Sequence, residues 1–317
     1  MEQHTPYEPL RRAPLKLSGV FGMAWQLYKR GFWPLFAFLL ILTGIASLPD
    51  IVLGFVQTGG SQAAAKGISF VIAALSFFLI APAQNAVVFM ELEERIAGRH
   101  GTFSQLFRYA LPIGLKRFYS TYFAMLLVAM GAAMIMMIIL FITLFIVSIP
   151  VGLSMLTTLT PGSFASGTVP PGLIGIAVFA GILLLLLYTV LGALTALIFP
   201  AAVHEGRRSF KAVSRGMRLS FKRMGRMLLY GILYSVYLIA VAWLPLMILR
   251  QNTGVASDMI RIAIWLIGAL AIPYWNALAC ALYVDSAARV DAADAIAATM
   301  PKPQSQYDPD TRPQPYA

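Results

Sequence analysis

Six long apolar runs separated by polar stretches set the pattern of this chain, at about residues 32–54, 68–90, 118–149, 171–203, 227–249 and 259–284. Roughly 20 consecutive apolar residues in a helix cross the hydrocarbon core of a bilayer. The runs therefore predict six transmembrane helices and an all-α, polytopic membrane protein. The third and fourth runs are long enough to tilt or to project beyond the core. Buried helices of a large soluble protein would also be apolar, but six runs with hardly a charge among them argue against that reading.

The polar stretches rhyme. LKLSGVFGMAWQLYKRGFWPLF from Leu15, GTFSQLFRYALPIGLKRFYSTYF from Gly101 and RSFKAVSRGMRLSFKRMGRMLL from Arg208 each stand before an odd-numbered run. Each opens on a small or hydroxyl residue and an apolar residue, and a Lys-Arg pair follows 12 or 13 residues after the apolar one. In the third, Phe210, Val213, Met217, Phe221 and Met224 fall on one helical face and Lys211, Arg215, Arg218, Lys222 and Arg226 on another. An apolar stripe beside a basic one predicts a helix lying in the membrane interface.

The even-numbered runs also match. PAQNAVVFME (Pro82 to Glu91) and PYWNALACALYVD (Pro273 to Asp285) share P-x-x-N-A, and FPAAVHE (Phe199 to Glu205) is a looser relative. The pattern predicts three parallel units, about 15–100, 101–206 and 207–295, each an interfacial helix followed by a span out and a span back. Chance likeness between apolar helices is the competing explanation. The tails, 1–14 and 296–317, are polar and Pro-rich and read as disordered.

Charge sets orientation. Five Lys/Arg precede the first run, five lie between the second and third, eight between the fourth and fifth and three after the sixth, against three on the opposite side. By the positive-inside rule both termini are expected to be cytoplasmic, in a bacterial cytoplasmic membrane. The totals agree: 317 residues are 59% hydrophobic and only 12% charged, half the charge of a soluble domain. The N-terminus lacks the charged-then-apolar order of a cleaved signal peptide. The single cysteine, Cys280, allows no internal disulfide.

Candidate chemistry is sparse. There is no H-E-x-x-H, C-x-x-C, G-x-S-x-G or phosphate-binding loop, so no catalytic set, metal site or cofactor is expected. His204 and Glu205 would be half of a metal or acid–base pair, but no partner is visible, and interfacial capping is the plainer reading. Asp50 and Asp258 read as helix-end residues. Glu91, Glu93 and Glu94, with Arg95 and Arg99, read either as a solvated helix end with local ion pairs or as a partner for the basic face of a neighbouring unit. Gln84, Asn85 and Asn276 are the deepest polar side chains. They form either a polar site at proline kinks or hydrogen-bonding glue between helices.

Residues 207–226 carry eight Lys/Arg and no acid. Their place between two spans argues for lipid rather than nucleic acid. Arg207, Arg208, Lys211, Arg215, Arg218 and Lys222 are the candidate contacts to anionic headgroups; a pure topology signal is the other reading.

PLKLSGVFGMAWQLYKRGFWPLF, NAVVFMELEERIAGRHGTFSQLFRYAL, FPAAVHEGRRSFKAVSRGMRLSFKRMGRMLL and ALYVDSAARVDAADA together resemble the membrane domain attached to some bacterial glycerophosphoryl diester phosphodiesterases, and related multi-span proteins. An E-G before the basic helix (Glu205-Gly206) and a closing Y-x-D (Tyr283, Asp285) fit that family, while Arg289 stands two positions late. The resemblance covers about 14–295 and implies a membrane domain. The hydrolytic barrel of the two-part proteins has no counterpart in this sequence, so the resemblance implies no hydrolysis. The sequence thus predicts a non-enzymatic, lipid-associated scaffold or accessory protein, with a permease using Gln84, Asn85 and Asn276 as the alternative.

Overall fold

A computed structural model describes residues 10, 13–46, 67, 70–71, 73–99, 101–158, 171–243 and 255–299. The described residues are helical and contain no strand. The helices are α1 (Leu17–Lys29), α2 (Phe32–Ala46), α3 (Ala81–Ile96), α4 (Phe103–Gln105), α5 (Leu111–Thr158), α6 (Pro171–Thr195), α7 (Ile198–His204), α8 (Phe210–Lys222), α9 (Met224–Leu238) and α10 (Val255–Thr299). Single π-helical turns precede α3, link α4 to α5 and extend α9.

Five stretches are long and apolar enough to cross a membrane: Ala73–Ile96, Phe118–Ile146, Val178–His204, Met224–Val241 and Leu266–Ala295. They coincide with five of the six runs read from sequence. The remaining run begins as the shorter apolar helix Phe32–Leu42, and its residues 47–54 lie outside the described residues. The protein is an all-α, polytopic helical protein. At 1.5 Å per residue, the 48 residues of α5 reach roughly 72 Å, more than twice the hydrocarbon thickness of about 30 Å.

The second polar stretch differs from the sequence reading. The first and third fold as separate surface helices, α1 and α8, that end before their spans. Gly31, at φ 61°, supplies the left-handed turn after α1 that a side chain would oppose, and Arg223, at φ −126° and ψ 31°, breaks the chain between α8 and α9. The second stretch has no break after its Lys116-Arg117 pair, so residues 111–117 run straight into the span as part of α5.

Packing concentrates at the end of the bundle that carries α1 and α8. There the core gathers Leu27 of α1, Phe38 of α2, Leu92 of α3, Leu197 before α7, Leu219 of α8 and the stretch Ala277 to Val284 of α10. Toward the other end the helices offer bare hydrocarbon. Met130, Met134, Ile135, Met137, Ile138, Phe141, Phe145 and Ile146 of α5 are each more than half exposed, a surface suited to acyl chains rather than water. Helices there touch through small residues. A Cβ on Gly231 of α9 would fall 2.6 Å from the Thr189 carbonyl oxygen of α6, and one turn on, Ser235 and Thr189 share a hydroxyl hydrogen bond of 2.8 Å. Close backbone approach plus a buried hydroxyl pair is how helices adhere where no hydrophobic drive exists.

The bundle closes on itself. α1, first in the chain, packs against α10, the last, and the Asp285 carboxylate of α10 accepts a hydrogen bond of 2.7 Å from the Leu15 backbone N–H. Arg226 and Arg289 donate to the same carboxylate, and both also reach the Leu15 carbonyl. A related arrangement joins α3 to α4: Glu91 accepts from the Gly101 N–H at 3.0 Å and from Arg95 at 3.0 Å.

Candidate functional site

The basic helix α8 begins under backbone strain. Gly206 (φ 63°) and Ser209 (φ 54°) both take positive φ, and Ser209 is the one described residue other than glycine that does so. The turn is held by the Ser209 N–H donating to Thr121 Oγ1 at 3.0 Å, which anchors the start of α8 to α5.

From there the helix shows three faces, not two. With successive residues about 100° apart, Ala212, Val213, Gly216, Leu219 and Ser220 share the face that is buried. Gly216 is the contact point: a Cβ there would lie 2.7 Å from the Ile198 Cα of α7. Phe210 and Phe221 occupy a second, exposed apolar face, each more than half exposed. Lys211, Arg215, Arg218 and Lys222 form the third. The sequence reading merged the first two because Val213 and Phe210 are equally apolar; only the packing of Gly216 separates them.

The basic face is partly neutralised by the chain itself. Arg215 donates to Glu205 at 2.7 Å and to Asp291 at 2.6 Å. Arg218 and Lys222 both reach Asp294, at 2.9 Å each, and Arg207 pairs with Glu205. Asp291 and Asp294 lie on α10, more than 70 positions away. Arg208 and Lys211 are exposed, and among the described residues neither makes an ion pair or hydrogen bond.

Glu205 is the hinge of this network. Burial opposes its ionisation, but hydrogen bonds from Tyr283 and Arg215, the Arg215 charge and Arg207 outweigh it and hold its carboxyl below the ordinary value of 4.5. Arg215 is likewise held charged: burial disfavours the cation, and Asp291 and Glu205 more than offset that. A carboxyl with a depressed folded value stabilises the fold above its unfolded value and loses that contribution as pH falls through the folded value. Glu205→Gln should therefore lower the melting temperature at pH 7, and the gap from wild type should shrink steadily as thermal melts are repeated below about pH 4.5.

Beneath the basic face lies a second polar group. His204 Nδ1 faces the Glu93 carboxylate of α3, and its Nε2 is 3.3 Å from Cys280 Sγ of α10. The ring stacks on Tyr283 at 4.9 Å with 1° between planes, and the Tyr283 hydroxyl donates to Glu205 at 2.5 Å. His204 therefore finds its partners in two other helices rather than in its neighbour Glu205. Among the described residues no group of three His, Cys, Asp or Glu could hold a metal ion. Glu205 of the E-G pair and Tyr283 of the Y-x-D stretch thus meet here.

The chain matches no family model, no curated protein and no solved structure.

Among the deep polar residues, Gln84, Asn85 and Asn276 are each partly buried, Asn85 donates to the Ala81 carbonyl one turn back at 2.9 Å, and among the described residues no direct hydrogen bond joins any two of the three. The acidic cluster differs from its solvated reading. Glu94 and Arg99 pair in the open, but Glu91 and Arg95 are buried, at 3% and 0% exposure. Arg95 donates to Glu91, to the Leu27 carbonyl at 2.8 Å and to the Gly31 carbonyl at 2.6 Å. It thus caps the C-terminal end of α1, where helix carbonyls lack partners and a cation is favoured.

Proposed function

We propose that this protein is a lipid-associated scaffold or accessory protein of the bacterial cytoplasmic membrane, with both termini cytoplasmic and the basic face of α8 set against anionic headgroups. One observation carries the reading: α8 is fixed to the bundle by one face and presents Phe210 and Phe221 beside a row of cations. Aromatic side chains at the acyl boundary with Lys and Arg at phosphate level are the arrangement of an interfacial helix. The first surface helix and the start of α2 support it. Trp25 of α1 and Trp33 of α2 are exposed, and the Lys29 ammonium sits 4.9 Å over the Trp25 ring.

The intramolecular pairs on the basic face fit this role. Asp291 and Asp294 are substantially exposed, with side chains at 60% and 43% exposure, and pairs so open to solvent are screened and hold weakly. A lipid phosphate can compete with them, while Arg208 and Lys211 stand ready. Each cation near an anionic leaflet contributes about 1 kcal/mol. Protein carrying Arg208→Gln and Lys211→Gln, extracted in native-membrane nanodiscs, should retain at least several-fold less anionic lipid than wild type by mass spectrometry. Equal retention would reduce the stretch to a topology signal.

A further inference from the structure

Three helices meet around a shallow apolar groove. Leu17 and Phe21 of α1, Leu229 and Leu233 of α9 and Leu278 and Leu282 of α10 line it, and Arg226 stands at one end. The floor is packed, since Val20, Leu278 and Leu282 are buried, while Leu17 and Leu233 on the rims are 40% and 37% exposed. The groove is therefore open along its length to whatever surrounds the bundle. From Arg226 to Leu233 it runs roughly 10 Å, at about 1.5 Å per residue of helix. Tyr230, a further wall residue, is held by its stack on Tyr234 and its edge contact with Trp275.

The charged end carries more cation than its own carboxylate neutralises. Asp285 is fully buried and pairs with two guanidiniums, those of Arg226 and Arg289, which are partly exposed. Two positive charges against one negative leave one in excess. The hydrogen bonds show the same surplus. A guanidinium has five N–H donors in a fixed fork. Arg226 donates through Nη1 alone, to Asp285 and to the Leu15 carbonyl. Among the described residues, its Nε and Nη2 donate to nothing. Those two nitrogens share one edge of the guanidinium, the edge that grips a phosphate with two parallel bonds.

We propose that this groove seats one acidic phospholipid, its phosphate bridged by Nε and Nη2 of Arg226 and one acyl chain laid along Leu17, Leu229 and Leu233. The charged end decides the occupant: a helix of a second copy would cover the leucines and leave the Arg226 donors unspent. The site is separate from the basic face of α8, whose cations do not line it, and shares with that reading only the membrane location. Because Arg226 also bonds Leu15 and Asp285, the seated lipid would brace the junction of the first helix with the last.

The full chain in nanodiscs of mixed phosphatidylglycerol and phosphatidylcholine tests this, with bound lipids stripped stepwise by collisional activation in native mass spectrometry. Wild type should keep one phosphatidylglycerol after the other lipids have left. Leu17→Trp/Leu233→Trp fills the groove from its exposed rims without touching a charge, and should lose that last lipid. Arg226→Gln should hold it about fivefold more weakly, the effect of one cation at a lipid phosphate, and should no longer prefer phosphatidylglycerol. Arg208→Gln/Lys211→Gln should keep it, so failure of the α8 reading and failure of this one are separate results. A last lipid equally bound in the groove-filled variant overturns the proposal, as does a wild type that holds the two lipids alike. So does unchanged retention in Arg226→Gln, which leaves Asp285 its bonds from Arg289 and the Leu15 N–H.

Discussion

Arg95→Met should lower stability by about 3–5 kcal/mol, the usual cost of removing one partner of a buried ion pair. The guanidinium is wholly buried, and its loss leaves acceptors behind, among them the Glu91 carboxylate and the carbonyls of Leu27 and Gly31. Glu91 would then remain charged in a low-dielectric site without its guanidinium partner, although the Gly101 N–H would still donate to it. Thermal or SDS-driven unfolding of detergent-solubilised protein measures the loss. Adding Glu91→Gln to the variant should recover part of it, because removing both charges of a buried pair costs far less than removing one. The recovery should be incomplete, since the α1 carbonyls stay uncapped. A loss below about 1 kcal/mol for the single variant would place Arg95 in solvent, the environment read from sequence.

Gly216→Val should be nearly as damaging, by a different route. The Cβ of any residue there would sit 2.7 Å from Ile198 Cα and 2.8 Å from Ile198 N. Those are backbone atoms, which have no rotamer to give way. The helix must therefore lift from α7, taking Ala212, Leu219 and Ser220 with it. Overpacking of this kind costs about 1–3 kcal/mol and more when backbone is displaced. Because α8 carries the basic face, the variant should also become sensitive to limited trypsin digestion at Arg215 and Arg218. Gly225 makes the control: a Cβ there meets nothing within 4 Å, so Gly225→Ala should leave both stability and digestion pattern near wild type.

Fold class was legible because hydrophobic length is a local property. Five of the runs became helices of spanning length without any appeal to tertiary structure. The fate of the second polar stretch was less visible, since a helix break depends on one residue. Gly31 follows its Lys-Arg pair directly, whereas Phe118 stands in that place in the second stretch and the helix continues. The candidate site was the least legible. Nothing in RRSFKAVSRGMRLSFKRMGR announces Asp291 and Asp294, because the pairing crosses more than 70 positions. Glu91 and Arg95 have the i,i+4 spacing of a surface pair, and only the packing of α1 over them makes the pair a buried one. The sequence did hold a trace of the His204 cluster: Glu93, His204 and Cys280 each lie near the end of a return span, and placing those ends side by side would have brought them together.

The most direct test of the lipid reading pushes the basic face in both directions. Wild type, the Asp291→Asn/Asp294→Asn variant and the Arg208→Gln/Lys211→Gln variant would be reconstituted into nanodiscs of mixed phosphatidylglycerol and phosphatidylcholine, and the lipid retained on gentle release weighed by native mass spectrometry. Uncovering Arg215, Arg218 and Lys222 should raise phosphatidylglycerol retention above wild type, and removing the open cations should lower it. Three proteins that retain the two lipids in the bulk ratio would contradict the account, and α8 would then be a structural brace with its charges turned inward.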